Sequence, residues 1–498
     1  MSLSIKNLTL SLLSFCTIIF LTSRYLPIET DALNSPIVWR EVSEHGFGVL
    51  KSWYATPDNW YFTVYPINFF FYFLFGNDGI VPLTLSTALF ACVTAISFWY
   101  VANRSGAGIH SYLVVISLTL MPAYAYTFGF IAHPFSHYST TAYGALCVAI
   151  MIANIGVRSY ALVALISIIS IFTGASDPWY LASFFLPMLL IQVYLFWNKH
   201  ASLKDLVTYL ISFITSISGI VQSIFNIPVE HFKLTTTDQM LLNIEVAFTA
   251  IGRMLNPFFV NNSITLALSL LIWIPVSLYS AWVCFKGTKE SSSLAVLACL
   301  SISAIISSFI LSFEHVNDMN ARFFGNVPAF VITLCAICAA IKRSRIISAL
   351  LILFCLSSLY SYTKITHPMF DQGEKTAEII KFLTKNDLSY GYSNTVQYAT
   401  TTNWMSNGDI KIIPVYQNPK TGYITKEVVR GQTMKYWLSD EYISKSPRRQ
   451  FFAVTETIRS CKNKDVCINY IKRRIGEPDD ILTFKNITFL VYNRQINF

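Results

Sequence analysis

Two carboxylates lie two positions apart in the stretch Glu29-Thr30-Asp31, just past the first apolar run of this 498-residue chain. In extended backbone, residues two apart point the same way, so both could flank one hydroxyl. A carboxylate at the lip of a membrane cavity can serve as general base on an incoming alcohol. Partial desolvation raises a carboxyl's pKa towards the range useful for that task. The competing use is structural, with Thr30 or Asp31 capping the helix that follows. Other chemistry-bearing residues fall in short turns. Asp177 lies in ASDPWY, His133 and His137 in AHPFSHYS, and Glu314, His315, Asp318 and Arg322 in FEHVNDMNARFF. Arg322 is the only cation of its turn, and its planar fork suits a lipid phosphate. Arg253 could touch headgroups equally well. Trp53, Trp60, Tyr61 and Trp179 could stack on sugar rings or anchor at an interface.

The elements that must position these residues are apolar. Apolar residues make up 54% of the chain, charged ones 13%, and the mean hydropathy is +0.49. A soluble chain would carry about 25% charged residues. Runs of the ~20 residues needed to cross ~30 Å of hydrocarbon recur, predicting about eleven transmembrane helices. We place them near 7–23, 80–102, 110–130, 137–157, 159–174, 179–197, 206–226, 263–285, 292–313, 326–341 and 346–362. The run Trp60 to Phe75 is rich in aromatic residues and interrupted by Pro66, and reads as interfacial.

Lysine and arginine resist export. With Lys6 inside, Arg104, Arg158, Lys199, Lys204, Lys286, Lys289, Lys342, Arg343 and Arg345 fall on the cytoplasmic side. Only Arg24, Arg40, Lys51, Lys233, Arg253 and Arg322 face out, along with every acid before residue 364 except Asp205 and Glu290. The first segment reads as a signal anchor, so the N-terminus is expected in the cytoplasm.

Three features then lie outside the lipid. A long first loop, 24–79, carries the alternation Ile37, Val38, Trp39, Val42, Val49 against Arg40, Glu41, Glu44, Lys51, which predicts an amphipathic helix in the interface. A second surface helix is expected within 227–262. From residue 364 the chain reads as an α/β domain. Helices are predicted over GEKTAEIIKFLTKND and KDVCINYIKRRIGEP, strands over DIKIIPVYQ and RQFFAVTET, and a hairpin over ILTFKNITFLVYNRQ. This tail holds 20 Lys/Arg against 13 Asp/Glu, so +7 of the net +9 charge sits there. A basic domain beside a membrane suggests anionic headgroups or glycans as partners, and nucleic acid is not expected. Eight cysteines lie in apolar runs; Cys461 and Cys467 flank KNKDV, where a disulfide would fit an oxidising compartment.

Walker, GxGxxG, HExxH and GxSxG motifs are absent, as are zinc-spaced Cys/His sets and Asp-x-Asp, so no metal or cofactor is expected. The layout of one helix, a long outer loop opening with an acidic residue, many helices and an outer α/β tail resembles the GT-C glycosyltransferases. Within them it is similar to the bacterial serotype-converting glucosyltransferases that decorate O-antigen in lipopolysaccharide. The resemblance implies residues 1–363 as a GT-C-like transmembrane module in the bacterial inner membrane and 364–498 as a periplasmic domain. It implies transfer of a sugar, glucose in the relatives, from undecaprenyl phosphate to an acceptor hydroxyl, with inversion. Asp31 would be the general base, with Glu29 in reserve. Arg322 would bind the donor phosphate, with Arg253 and Arg40 as weaker candidates, and Asp177 or Asp58 would support the cavity beside His133, His137 and Asp318. Expected functional partners are a polyprenyl-phosphate glucosyl synthase and a flippase. The competing functions are an O-antigen polymerase or ligase, or a lipid-linked glycan exporter without chemistry.

Overall fold

The computed structural model describes residues 5–56, 59–130, 136–229, 232–314, 318–368, 371–426, 431–457 and 460–497. The chain is mostly helical and divides into two compact units. One comprises Met1–Leu26, Pro57–Ile224 and Val229–Pro368; the other comprises Pro27–Thr56, Phe225–Pro228 and Met369–Phe498. The α/β unit thus takes in part of the first loop, which the sequence reading assigned to the membrane module.

In the first unit, helices appear in each run expected to cross the membrane, because a segment in hydrocarbon must satisfy its own backbone groups. Among the described residues, six are single helices long and apolar enough to span: Asn7–Tyr25, Ile80–Arg104, His137–Val157, Ser263–Phe285, Lys289–Ser312 and Arg345–Lys364. A seventh candidate is the pair Gly108–Thr119 and Ala123–Gly129, bent by 62°. Pro122 stands at that break, where the missing N–H and the ring interrupt the helical ladder. Tyr160–Ser176, Leu181–Trp197 and Asn326–Lys342 are apolar but shorter than 18 residues. Leu203–Ile217 stops at Gly219, whose φ of +72° ends the helix before Ile220–Phe225 resumes. Among the described residues, helices occupy all eleven runs, and six or seven of them meet the length of a full span. This is the make-up of a polytopic membrane protein.

Two expectations outside the spans have clear counterparts. Tyr65–Phe75 is an 11-residue helix, roughly half the length needed to cross a ~30 Å slab at ~1.5 Å per residue. Thr237–Met254 is a helix capped by the Thr236 side chain. Its buried Asn243 donates to the carbonyls of Phe309, Ile310 and Phe313 at 3.2, 3.1 and 2.9 Å. Ile310 lies in the last turn of Lys289–Ser312, where carbonyls run out of helical partners, while Phe309 also accepts from the Phe313 N–H at 3.2 Å.

The second unit is built on a five-stranded mixed sheet. Tyr390–Ser393 pairs in parallel with Lys411–Pro414 on one side and Gln450–Thr455 on the other; Ile487–Tyr492 joins Gln450–Thr455 antiparallel, and Asp480–Phe484 closes the edge as a hairpin. The parallel pair needs a crossover, and the helix Val396–Met405 supplies it. Ile379 and Leu383, one turn apart on Gly373–Lys385, pack with Leu388, Ile412, Phe451, Phe489 and Val491 in its core. The first loop contributes Asn34–His45, whose apolar face Ile37, Val38 and Val42 is buried. That helix packs on Val396–Met405. Its amphipathic pattern serves packing within this unit, which corrects the expectation of a helix lying in a membrane interface. Trp53–Tyr54 adds a short antiparallel pairing with Thr433–Met434.

Cys461 and Cys467 are joined by a disulfide. Closing so short a loop restricts the unfolded chain enough to contribute about 2 kcal/mol. Replacing both cysteines by serine is expected to lower the thermal midpoint of the second unit by several degrees, measured by scanning calorimetry of the full chain. An unchanged midpoint would show that the bridge does not stabilise this unit.

Candidate active site

The first-loop carboxylates sit in a turn, not in extended backbone. Residues 29–33 form successive turns leading into Asn34–His45. The Glu29 carboxylate folds back on it: Oε2 accepts from the Asp31 N–H at 3.0 Å and Oε1 from the Ala32 N–H at 2.8 Å. Glu29 is 6% exposed. It is the turn's own cap, so it does not stand beside Asp31 to flank a hydroxyl as the extended reading supposed. The expectation that Thr30 or Asp31 caps the following helix also gives way, since the N-cap of Asn34–His45 is Leu33, with no side-chain capping bond.

Asp31 is half-buried, and its Oδ1 accepts from Gln432 Nε2 at 2.6 Å. Gln432 is held by its own N–H on the Tyr54 carbonyl at 2.8 Å and adopts a φ of +63°. A left-handed conformation in a residue other than glycine costs roughly 1–3 kcal/mol and persists only where the surroundings fix it. The first loop and the 431–434 stretch thus set the direction of the Asp31 carboxylate together. Nothing in the sequence signals Gln432, which lies in a short polar connection.

Arg40 is used structurally. Its guanidinium donates to the carbonyls of Asn403 and Trp404 at 2.9 and 3.3 Å. It thereby covers the C-terminal end of Val396–Met405, where a cation also complements the helix dipole.

A second cluster lies in the first unit. Asp177 is fully buried and accepts from His137 Nδ1 at 2.8 Å, from Thr140 Oγ1 at 2.7 Å and from the Trp179 N–H at 3.0 Å. Burial pushes its carboxyl up, but the His137 charge and these hydrogen bonds outweigh burial and hold it below its ordinary value of 3.8. The neighbouring Ser176 carbonyl accepts from the Asn59 N–H at 2.8 Å, and its hydroxyl from the Phe62 N–H at 3.1 Å. These bonds tie the end of the first loop to the same turn.

Arg322 reaches this cluster through its neighbour. Phe323 packs against His137 and Trp179, each at a ring-centroid distance of 4.5 Å, and the Arg322 guanidinium lies 5.0 Å from the Phe323 ring. Gly129 fixes the backbone there, since a Cβ on it would fall 2.8 Å from the Arg322 nitrogen. Thr237–Met254, which carries Arg253, packs on both Ala123–Ala125 and Asp318–Phe324. Arg253 itself lies 5.3 Å from the Tyr124 ring. His137, Asp177, Arg322 and Arg253 are therefore brought to packed elements of one unit, whereas Glu29, Asp31 and Arg40 belong to the other. Asp58 and His133 lie outside the described residues, and Asp318 is described only as the start of its turn. Trp53 and Trp60 are buried; Tyr61 and Trp179 are half-buried. Among the described residues, no group of three His, Cys, Asp or Glu side chains could hold a metal ion.

No protein-family model matches the chain, and no curated protein matches it in sequence. Among solved structures it is similar to an oligosaccharyltransferase of Archaeoglobus fulgidus in complex with zinc and sulfate. The TM-score is 0.49 at 10% identity, covering 94% of this chain and 68% of that one. It is also similar to the oligosaccharyltransferase AglB of Archaeoglobus fulgidus with an inhibitory peptide and a dolichol-phosphate. There the TM-score is 0.48 at 11% identity, over 89% of this chain and 69% of that one. Likenesses this shallow establish neither the fold nor the activity of this chain.

Removing one partner of a buried pair typically costs roughly 3–5 kcal/mol, so Asp177→Asn should sharply lower the thermal midpoint in detergent. Because the folded-state pKa is depressed, the contribution of Asp177 is present above about pH 4 and disappears as pH falls through the folded value. Tryptophan fluorescence melts from acid to neutral pH should show that loss in the unsubstituted protein and little of it in Asp177→Asn. Identical melts would rule out a stabilising pair.

Proposed function

We propose that this chain is a GT-C-type glycosyltransferase that moves a sugar from a polyprenyl-phosphate donor to an acceptor hydroxyl at the non-cytoplasmic membrane face. The observation that carries the reading is the division of labour in the first loop. Glu29 is committed to the backbone of its turn, whereas Asp31 presents a half-buried carboxylate whose direction is set by Gln432.

In the reaction, Asp31 takes the proton of the acceptor hydroxyl as that oxygen attacks the anomeric carbon. The bond from this carbon to the phosphate oxygen breaks, the lipid phosphate leaves with the electron pair, and the configuration inverts. Charge gathers on the leaving phosphate, and fixed cations are the appropriate stabilisers. The family resemblance gives Arg322 that role, with Arg253 as the weaker candidate. The Asp177–His137 pair positions the Phe323 ring, next to Arg322, in the 318–324 turn. Glucose as the sugar, O-antigen as the acceptor and the bacterial inner membrane as the location remain part of the proposal, supported by the layout of the chain.

The test is transfer of radiolabelled glucose from polyprenyl-phosphate-glucose in proteoliposomes. Asp31→Asn should insert normally and lose transfer by about 10²- to 10⁴-fold, the usual worth of a general base. Unreduced transfer in that variant would overturn the assignment.

A further inference from the structure

The second unit holds a cavity of about 960 Å³, at the upper end of the size range of small-molecule sites. Its walls come from the first-loop helix and from the tail, all within that unit. At its base Glu41, 6% exposed, accepts from Lys411 Nζ at 2.9 Å and from the Tyr436 hydroxyl. His45 Nε2 lies 3.9 Å from Glu41 and 3.8 Å from Glu44. Tyr436 meets Tyr442 edge-on at 5.4 Å, and Tyr390 completes the aromatic part of the wall. Burial, with Glu41 nearby, pushes the Tyr442 phenol up, so it stays a neutral hydroxyl.

The charges on this wall balance. Arg40, Lys411 and Lys445 face Glu41, Glu44 and Glu441, three against three. The surplus positive charge of the tail therefore lies elsewhere. A phosphate or an acidic glycan would need an excess of cations here. Carboxylate acceptors, ammonium donors and amphipathic tyrosine rings without net charge suit a ligand that offers many hydroxyls and apolar C–H faces.

We infer that this cavity binds an uncharged oligosaccharide. Its role as the acceptor site rests on the glycosyltransferase reading above; the binding itself does not. The inference also revises the expectation that the tail docks an anionic glycan, at least at this site.

Gly48 supplies the test. It lines the cavity, has no left-handed φ, and a Cβ built on it meets nothing within 4 Å. Gly48→Trp should therefore narrow the cavity without straining the backbone, whereas Gly48→Ala should leave it open. The full chain in nanodiscs is to be presented with a panel of uncharged, uronate-bearing and sulfated tetrasaccharides, together with unrelated tetrapeptides. Retention of uncharged members is expected, weakened at least ~10-fold by Gly48→Trp and unchanged by Gly48→Ala. Should Gly48→Trp melt early, the exposed-wall variant Glu44→Ala with Tyr442→Ala replaces it, with the same loss expected. Failure to retain any uncharged member, preference for anionic or peptide members, or full binding by the narrowed variant would overturn the inference. Asp31→Asn should keep the binding. Loss of transfer without loss of binding, or the reverse, thus tells a failed binding site from a failed catalytic assignment.

Discussion

Both oxygens of Glu29 accept from backbone N–H groups of the turn they begin, and the proposed choice of Asp31 over Glu29 as the base rests on this. A carboxylate that accepts two backbone bonds in a buried turn is costly to move, because the amides it leaves behind would be desolvated without partners. The turn therefore stays closed. Asp31 is presented on its outer side, and Gln432 meets it there from a backbone conformation that needs external support. The first loop and the tail are one folding unit for this reason among others: Arg40 covers a helix end of the tail, and Glu41 pairs with Lys411.

The first unit shows the same economy in a drier setting. Asp177 is a buried acid made tolerable by an imidazole, a hydroxyl and a backbone amide. Two of these three groups lie on Ser136–Val157, which thereby holds the turn between Tyr160–Ser176 and Leu181–Trp197. Around it Trp179, Phe309, Phe313 and Phe323 interlock with centroid distances between 4.5 and 6.4 Å. Such a cluster fixes the backbone that carries Arg322, and Gly129 permits the close approach on the other side.

Much of this was legible in the sequence. Apolar runs marked the helices expected to span, since the 20-residue scale of a bilayer leaves a strong compositional trace. Which of them break was less legible, because Pro122 and Gly219 act through local geometry and not composition. In the tail, the helix over 373–385, the hairpin over 480–492 and the strands at 411–414 and 450–455 follow their periodicity. The strand Tyr390–Ser393 and the helix Val396–Met405 escaped it. Tyr-Gly-Tyr-Ser followed by Asn394 reads as a turn, and only burial on both faces makes it a central strand. Helical amphipathicity at 34–45 was visible, but the pattern does not say whether a membrane or a protein covers the apolar face. His137 and Asp177, 40 residues apart, were expected at one cavity, though not as a pair. The partner of Asp31 was invisible for a simpler reason: Gln432 lies 401 residues away.

The central claim is that the Asp31 carboxylate itself accepts the acceptor's proton, and chemical rescue tests it most directly. Transfer by Asp31→Ala is measured in proteoliposomes with increasing formate, a carboxylate small enough to enter the space left by the side chain. A base at this position predicts activity that is lost on substitution and partly restored by formate, with Glu29→Ala showing no such restoration. Undiminished turnover in Asp31→Ala, or a loss that formate leaves untouched, would contradict the account.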